Sequence, residues 1–333
     1  MHTRQRALNK WLNDILNSTS FSLTPLAGDA SFRQYFRLHH GECQYVVMDA
    51  PPDKEPISPF IHIADILAQA GIHTPHIFAL DEVQGFVLME DLGDLSFLKS
   101  LTSHNSDKLY RLALATLVKI QACPIPHDLL RFNQPSILKE LALFSNWFLQ
   151  QYLGLDLNSK EIRLIQKTVH WLAEEIQTQP QVFVHRDYHS RNIMVMSEPA
   201  NPLLGVIDFQ DAICGPITYD LVSLLKDCYI QLPKPQVSAF VEDFYQCISS
   251  QLKLKWTLAE FSRAFDLCGL QRHLKVLGIF SRLHIRDNKP AYLKDLPLTF
   301  HYVLDCLRRY PELRDFYFFM QNRVHEAFME TNA

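Results

Sequence analysis

The apolar residues change period once, near residue 100, and change back only briefly; few folds accommodate that pattern. "SFSLTPLAG" (20–28), "SFRQYFRLHH" (31–40) and "CQYVVMDAPP" (43–52) are β-rich runs separated by Gly-Asp-Ala and His-Gly-Glu turns. "HIFALDEVQGFVLMEDLGD" (76–94) reads as a further hairpin that ends in an acidic stretch with Gly93. Between them, "PFIHIADILAQAGI" (59–72) is helical, with Phe60, Ile63, Ile66, Leu67 and Ala70 on one side. Leu8, Trp11, Leu12, Ile15 and Leu16 mark the apolar face of an N-terminal helix. From about 106 the spacing turns helical, over 106–121, 135–152 and 158–178. Strands return over 182–208, and helices resume after 217 with breaks near 232–236, Pro290 and Pro297. There is no internal repeat. The pattern predicts an α+β chain: an N-lobe over 1–90, a small antiparallel sheet with one helix, and a large mainly helical C-lobe over 91–333 carrying a short β insertion. A cleft between two such lobes is a natural ligand site.

At 333 residues the chain has room for two cores. Its net charge of −4, with both signs mixed, argues against a nucleic-acid or membrane-surface protein. The seven cysteines form no C-x-x-C, which points to buried free thiols in a reducing compartment. The N-terminus has charges throughout and no apolar signal core, and no apolar run is long enough to span a membrane. A cytoplasmic location is expected; oligomeric state is not legible.

The β insertion contains the chemistry. In "VHRDYHSRNIMVMSEPANPLLGVIDFQD" (184–211), His185-x-Asp187 is followed after four residues by Asn192, and Asp208 closes the next apolar run. Phosphoryl transfer asks a protein for positioning and charge neutralisation more than for covalent work. An Asp beside the acceptor hydroxyl can take its proton, while an Asn oxygen and a second Asp can hold Mg²⁺, which prefers hard oxygen ligands and few carboxylates. The plain alternative is a turn started by Asp187, containing Asn192, with Asp208 capping the next segment.

These segments, with "GPITYDLVSLL" after them, resemble the aminoglycoside phosphotransferase-like kinases, a branch of the protein-kinase-like bilobal fold. The resemblance covers most of the chain. "LAGDASFRQYFRL", "VVMDAPP", "VLMEDLGD" and "LQRHLKVLGIFSRL" resemble a bacterial subgroup more narrowly, the anomeric amino-sugar kinases of cell-wall recycling. That implies a Mg·ATP-dependent kinase acting on the anomeric hydroxyl of N-acetylmuramate or N-acetylglucosamine. By position, Asp187 matches the catalytic base, and Asn192 and Asp208 match the magnesium ligands. His185 matches a brace of the catalytic loop. Asp220 matches an acid that holds the loop through backbone N–H groups, or is simply a first-turn acid favoured by the helix dipole. "LMEDLG" (88–93) resembles the segment whose backbone, around Glu90 and Leu92, binds adenine, with a surface connector as the alternative.

"LAGDASFRQY" (26–35) fits a flap whose N–H groups meet phosphate oxygens, with Gly28 permitting close approach and Ser31 adding a hydroxyl. A plain hairpin would look the same. The third strand, "YVVMDAPP" (45–52), lacks the lysine usual in this fold, and the next helix offers Asp65. Alternation puts Arg33, Tyr35 and Arg37 on one strand face, so Arg33 and Arg37 are candidates to meet nucleotide charge; a solvated face is the other reading.

Only a few residues separate Asp208 from "GPITYD" (215–220), too few for a peptide-docking activation segment, so a small acceptor is expected. Arg186 then has no phosphorylated loop to bind and is read as a surface or brace residue. His189 is a candidate to face the sugar, and Asp211 to bind its hydroxyls. Gln271 and Lys275, four apart, share a helix face with Arg272 beside them. Arg272 or Lys275 is a candidate for the lactyl carboxylate of N-acetylmuramate, against the alternative of an exposed basic edge. Trp147 and Glu140 share the 135–152 helix and are assigned core and surface roles. The rival functions are a kinase of another small alcohol, such as an aminoglycoside or choline, and a catalytically weak ATP-binding pseudokinase.

Overall fold

The period-two runs near the N-terminus form strands β1 (Ser22–Pro25), β2 (Gln34–His40), β3 (Cys43–Asp49), β4 (Ile77–Asp81) and β5 (Phe86–Glu90). The computed structural model describes residues 2–26, 32–196 and 202–332. The five strands make one antiparallel sheet in the order β1-β2-β3-β5-β4. Helix α1 (His2–Leu16) lays Leu8, Trp11 and Leu12 on a core shared with Leu38, Val47, Phe86 and Leu88. Burying such side chains stabilises a fold by about 1.5–3 kcal/mol each. Arg4 ties the same helix to the sheet by its ion pair with Asp49. Gly85, at φ +72, turns β4 into β5, and a Cβ there would sit 1.9 Å from the Ala50 carbonyl oxygen, so only glycine fits. Helix α2 (Ser58–Gln69) buries Phe60, Ile63, Ala64 and Leu67.

The chain divides into two compact units, Met1–Ser100 with Arg191–Asp211, and Leu101–Ser190 with Ala212–Ala333. The β insertion is therefore shared out. Its strands β6 (Gln181–Val184) and β9 (Ile213–Pro216) pair in the second unit, and β7 (Ile193–Val195) and β8 (Leu204–Val206) pair in the first. After the single turn α3 (Phe97–Ser100), the second unit contains α4 (Ser106–Gln121), α5 (Gln134–Leu143), α6 (Ser159–Gln177), α7 (Tyr219–Leu225), α8 (Lys234–Leu252), α9 (Leu258–Ile285), α10 (Leu296–Leu307), α11 (Arg314–Phe319) and α12 (His325–Thr331).

Helix α9 starts in a capping box, Thr257 with Glu260, and is buried almost all round over Phe261–Leu283. A Cβ at Gly278 would lie 2.3 Å from the Leu143 carbonyl carbon, so glycine lets α9 pass directly over the end of α5. At that point the expected 135–152 helix changes winding and continues as a π-helix over Phe144–Tyr152. Phe144, Phe148, Phe300 and Phe328 pack there in stacked and tilted pairs with centroids 4.8–6.1 Å apart. Five of the cysteines are buried, but Cys43 and Cys247 are exposed, which corrects the expectation of buried thiols throughout: strand β3 starts with Cys43 at a turn, and Cys247 lies on the outer face of α8. No helix among the described residues is long and apolar enough to cross a membrane.

Candidate active site

In the second unit the β6–β9 ribbon launches the segment that begins at His185. The Asp220 carboxylate, in the first turn of α7, accepts the N–H of His185 at 2.7 Å and of Arg186 at 2.9 Å. Burial pushes the Asp220 carboxyl up to about 7, although both N–H donors favour its ionised form. His185 is fully buried, and its Nδ1 accepts the Asp187 N–H at 3.3 Å. The Tyr188 hydroxyl donates to the Ala113 carbonyl at 2.9 Å, and Ser190 is held through its N–H and Oγ by the buried Asp227 carboxylate. Arg186 sits at φ +81, a region costly for a side chain with a Cβ and maintained only by surrounding contacts.

Asp187 is half-buried. Burial of the carboxyl opposes ionisation, but Arg272, Lys275, His189 and Arg186 together hold it well below the usual carboxylate range. Arg272 Nη2 makes a charge contact with Asp187 Oδ1 at 3.6 Å, too long for a hydrogen bond. Arg272 and Lys275 are only 5% and 7% exposed, so they form no exposed basic edge. Lys275 Nζ lies 3.0 Å from Glu140 Oε1 and 3.1 Å from the Tyr219 hydroxyl, and Gln271 Nε2 donates to Glu140 Oε2 at 2.9 Å. Arg186 reaches the same carboxylate at 2.9 Å. His189 stands edge-on to Tyr229, with ring centroids 5.4 Å apart. Glu140 thus gathers three partners onto one helix position.

In the first unit, Asn192 precedes β7 and Asp208 follows β8, so the hairpin brings their side chains together. Asn192 Nδ2 donates to Asp208 Oδ2 at 3.1 Å, and Gln210 Nε2 donates to Asp208 Oδ1 at 2.7 Å. Asp208 has φ +65. The Val206 N–H donates to the His73 carbonyl at 2.8 Å, and Phe209 stacks on Phe60 of α2 at 4.9 Å. Asp211, which ends this unit, is exposed. No cluster of three or more His, Cys, Asp or Glu suited to a metal occurs among the described residues. One amide oxygen and one carboxylate suit Mg²⁺, which keeps several waters and takes phosphate oxygens.

The nucleotide candidates divide. Arg33 Nε lies 2.8 Å from Glu55 Oε2. Arg37 is engaged by Asp91, at 2.5 Å and 3.0 Å, and by Asp94 at 2.9 Å. Asp91 also accepts the Gly93 N–H at 2.9 Å, so Arg37 anchors the turn after β5. The Glu90 N–H bonds the His76 carbonyl and its carboxylate meets His73 at 3.0 Å. Leu92 is buried, and a Cβ at Gly205 would lie 2.7 Å from its Cδ1. Gly28 and Ser31 lie outside the described residues.

Sequence reading missed the contacts of Glu140, Asp227, Tyr219 and Gln210. A buried helical acid such as Glu140 has one local signal, its polar character on an otherwise apolar face beside Ile137 and Leu141. Asp227 has none.

The phosphotransferase enzyme family model matches residues 22–248. The N-acetylmuramate/N-acetylglucosamine kinase of Pseudomonas aeruginosa is 40% identical over 94% of each chain. The enzyme of the same name from Neisseria meningitidis is 36% identical over 98% of each. Among solved structures, a Plasmodium vivax ethanolamine kinase aligns with a TM-score of 0.65 at 11% identity, covering 92% of this chain and 87% of its own. The choline kinase LicA of Streptococcus pneumoniae aligns at 0.63 and 12% identity, covering 92% and 100%. At such identities these two speak for a shared protein-kinase-like fold alone.

Proposed function

This chain belongs to the phosphotransferase enzyme family, and from that membership we propose that it is a Mg·ATP-dependent kinase that phosphorylates the anomeric hydroxyl of N-acetylmuramate or N-acetylglucosamine. The observation that carries the proposal is the end-to-end similarity to kinases of that name, 40% identity over 94% of both chains, in a sequence with Asp187, Asn192 and Asp208 all present. A role in cell-wall recycling and a cytoplasmic location follow from such a substrate.

In this reading Asn192 and Asp208 hold the magnesium ion, with Gln210 fixing the Asp208 carboxylate. Mg²⁺ supplies charge neutralisation for the triphosphate. Asp187 orients the acceptor hydroxyl and takes its proton. Its depressed pKa makes it a weak base but an anion at all physiological pH. That suits a loose transition state, in which the attacking hydroxyl gives up its proton late. It suits a hemiacetal hydroxyl further, because that group is more acidic than an ordinary alcohol. Net transfer breaks the bond from the β,γ-bridging oxygen to the γ-phosphorus and forms one from the sugar O1. Arg33 is assigned to the phosphates, and the backbone near Glu90 and Leu92 to adenine. His189 and Asp211 are assigned to the sugar; His189 offers a ring edge fixed by Tyr229.

A screen of amino sugars, aminoglycosides and choline for Mg·ATP-dependent ADP release tests the proposal. Turnover with the two amino sugars and not with cationic alcohols is expected. Turnover confined to the cationic alcohols, or none, removes it.

A further inference from the structure

We propose, building on the kinase reading above, that Arg272 is a positioning residue for phosphoryl transfer. From helix α9 its guanidinium hydrogen-bonds the backbone carbonyl of Arg186 and sets its charge against the carboxylate of Asp187, and so sets the direction in which Asp187 faces the acceptor hydroxyl.

The peptide unit joining Arg186 to Asp187 carries the base, and both of its polar ends are held. Arg272 Nη1 donates to the Arg186 carbonyl at 3.1 Å, and the Asp187 N–H donates to His185 Nδ1 at 3.3 Å. Arg186 itself is at φ +81, a conformation that persists only when its neighbours over-determine it. Its N–H is taken by Asp220, its guanidinium by Glu140, and its carbonyl by Arg272. Loss of the last contact frees the carbonyl to rotate, and with it the next residue.

Arg272 is suited to this by chemistry and place. At 5% exposure a guanidinium must be fully engaged to be tolerated. The fork puts a hydrogen bond from Nη1 on the Arg186 carbonyl and the Nη2 charge beside Asp187 at once, a span that a lysine lacks. The Tyr219 ring lies 5.4 Å below Cζ, and its hydroxyl is 3.4 Å from Nη1, so the guanidinium plane is fixed from a third side. Glu140 engages Arg186 and Lys275, while Arg272 faces Asp187. Arg272 is also the strongest of the charges that hold the Asp187 carboxyl ionised against the opposing effect of burial.

The two sugars separate this role from binding of a sugar carboxylate, because N-acetylmuramate carries a lactyl carboxylate and N-acetylglucosamine does not. In Arg272→Met, kcat is expected to fall about 10²-fold on both sugars, the loss typical of a reacting group misplaced by about 1 Å. The KM for ATP and for each sugar should stay within about 3-fold of wild type, because ground-state binding is untouched. A loss confined to N-acetylmuramate, a loss expressed in KM alone, or an unchanged kcat overturns the proposal. Should the methionine variant fail to fold, Arg272→Lys keeps a charge in place without the fork. At least about a 10-fold loss of kcat at retained ATP affinity is then expected, and wild-type turnover overturns the proposal. If wild-type protein phosphorylates neither sugar, the functional reading fails separately. The kcat comparison is then made with the uncharged alcohol that it does accept, with the same two outcomes.

Discussion

The Asp220 carboxylate lies 2.7 Å from the backbone nitrogen of His185, its partner 35 positions earlier, and takes the next N–H as well. One side chain at the start of α7 thereby sets the course of the chain as it leaves β6. Asp220→Ala strands the buried His185 N–H and the half-buried Arg186 N–H, the former worth about 1–3 kcal/mol when left unpaired. The urea midpoint should fall accordingly, and turnover should fall with it. Asp220→Asn, which keeps one acceptor oxygen, should lie between the alanine variant and wild type. An alanine variant as stable as wild type would show that the two contacts carry no net weight.

Asp208 is held by Asn192 and Gln210 from either side. Changing the proposed magnesium ligand, Asp208→Asn, should lower turnover by more than about 10²-fold. Changing only its outer partner, Gln210→Ala, should raise the Mg²⁺ concentration for half-maximal rate by about 10-fold. Rate measured against Mg²⁺ at fixed ATP gives both numbers. A Gln210→Ala variant with an unaltered Mg²⁺ requirement would separate the glutamine from the proposed metal site.

Arg33 and Arg37 should behave differently. Arg33→Ala should weaken ATP binding far more than the surface change Lys10→Ala, measured by titration calorimetry. Arg37→Ala removes the partner of Asp91, a carboxylate only 6% exposed, so it should cost about 1–3 kcal/mol of stability before anything else. Equal ATP affinities for the Arg33 and Lys10 variants would remove Arg33 from the nucleotide site.

His273, 2% exposed, donates from Nε2 to the Lys226 carbonyl at 2.9 Å, and burial pulls its pKa from 6.5 down to about 3. Unfolded chains therefore bind a proton at this position between those two values and folded ones do not. Stability from this group is full above pH 6.5 and drains away as pH falls toward 3, at up to about 1.4 kcal/mol per pH unit. His273→Gln should flatten that part of the stability curve. Parallel curves for variant and wild type between pH 4 and 6.5 would contradict the assignment.

Local pattern carried much of the fold. The helix read over 106–121 has the same bounds in the structure, because its apolar spacing is regular and Leu109, Ala113, Leu117 and Ile120 face one core. The 135–152 run kept its apolar side, but periodicity is blind to the π-winding that begins where Gly278 presses on Leu143. Asp187, Asn192 and Asp208 stand out in sequence because their spacing is short, and the β7–β8 hairpin brings Asn192 against Asp208. Gln271 and Lys275 were correctly placed on one helix face, yet Glu140, which both of them meet, lies 131 positions from Gln271. A partner that distant leaves no local trace. Arg37 is by sequence a candidate for nucleotide charge or part of a solvated sheet face, and the acids that engage it are Asp91, within the 88–93 stretch, and Asp94 just after it. Charge alone does not reveal which of two duties a side chain performs.

Carbon and phosphorus NMR of the product formed from Mg·ATP and N-acetylmuramate, by wild type and by Asp187→Asn, tests the central claim most directly. Phosphate bonded to O1 is expected, formed by wild type and at least about 10²-fold more slowly by a variant that still binds ATP. Phosphate on another hydroxyl, no phosphorylated sugar, or an Asp187→Asn variant near wild-type speed would contradict it.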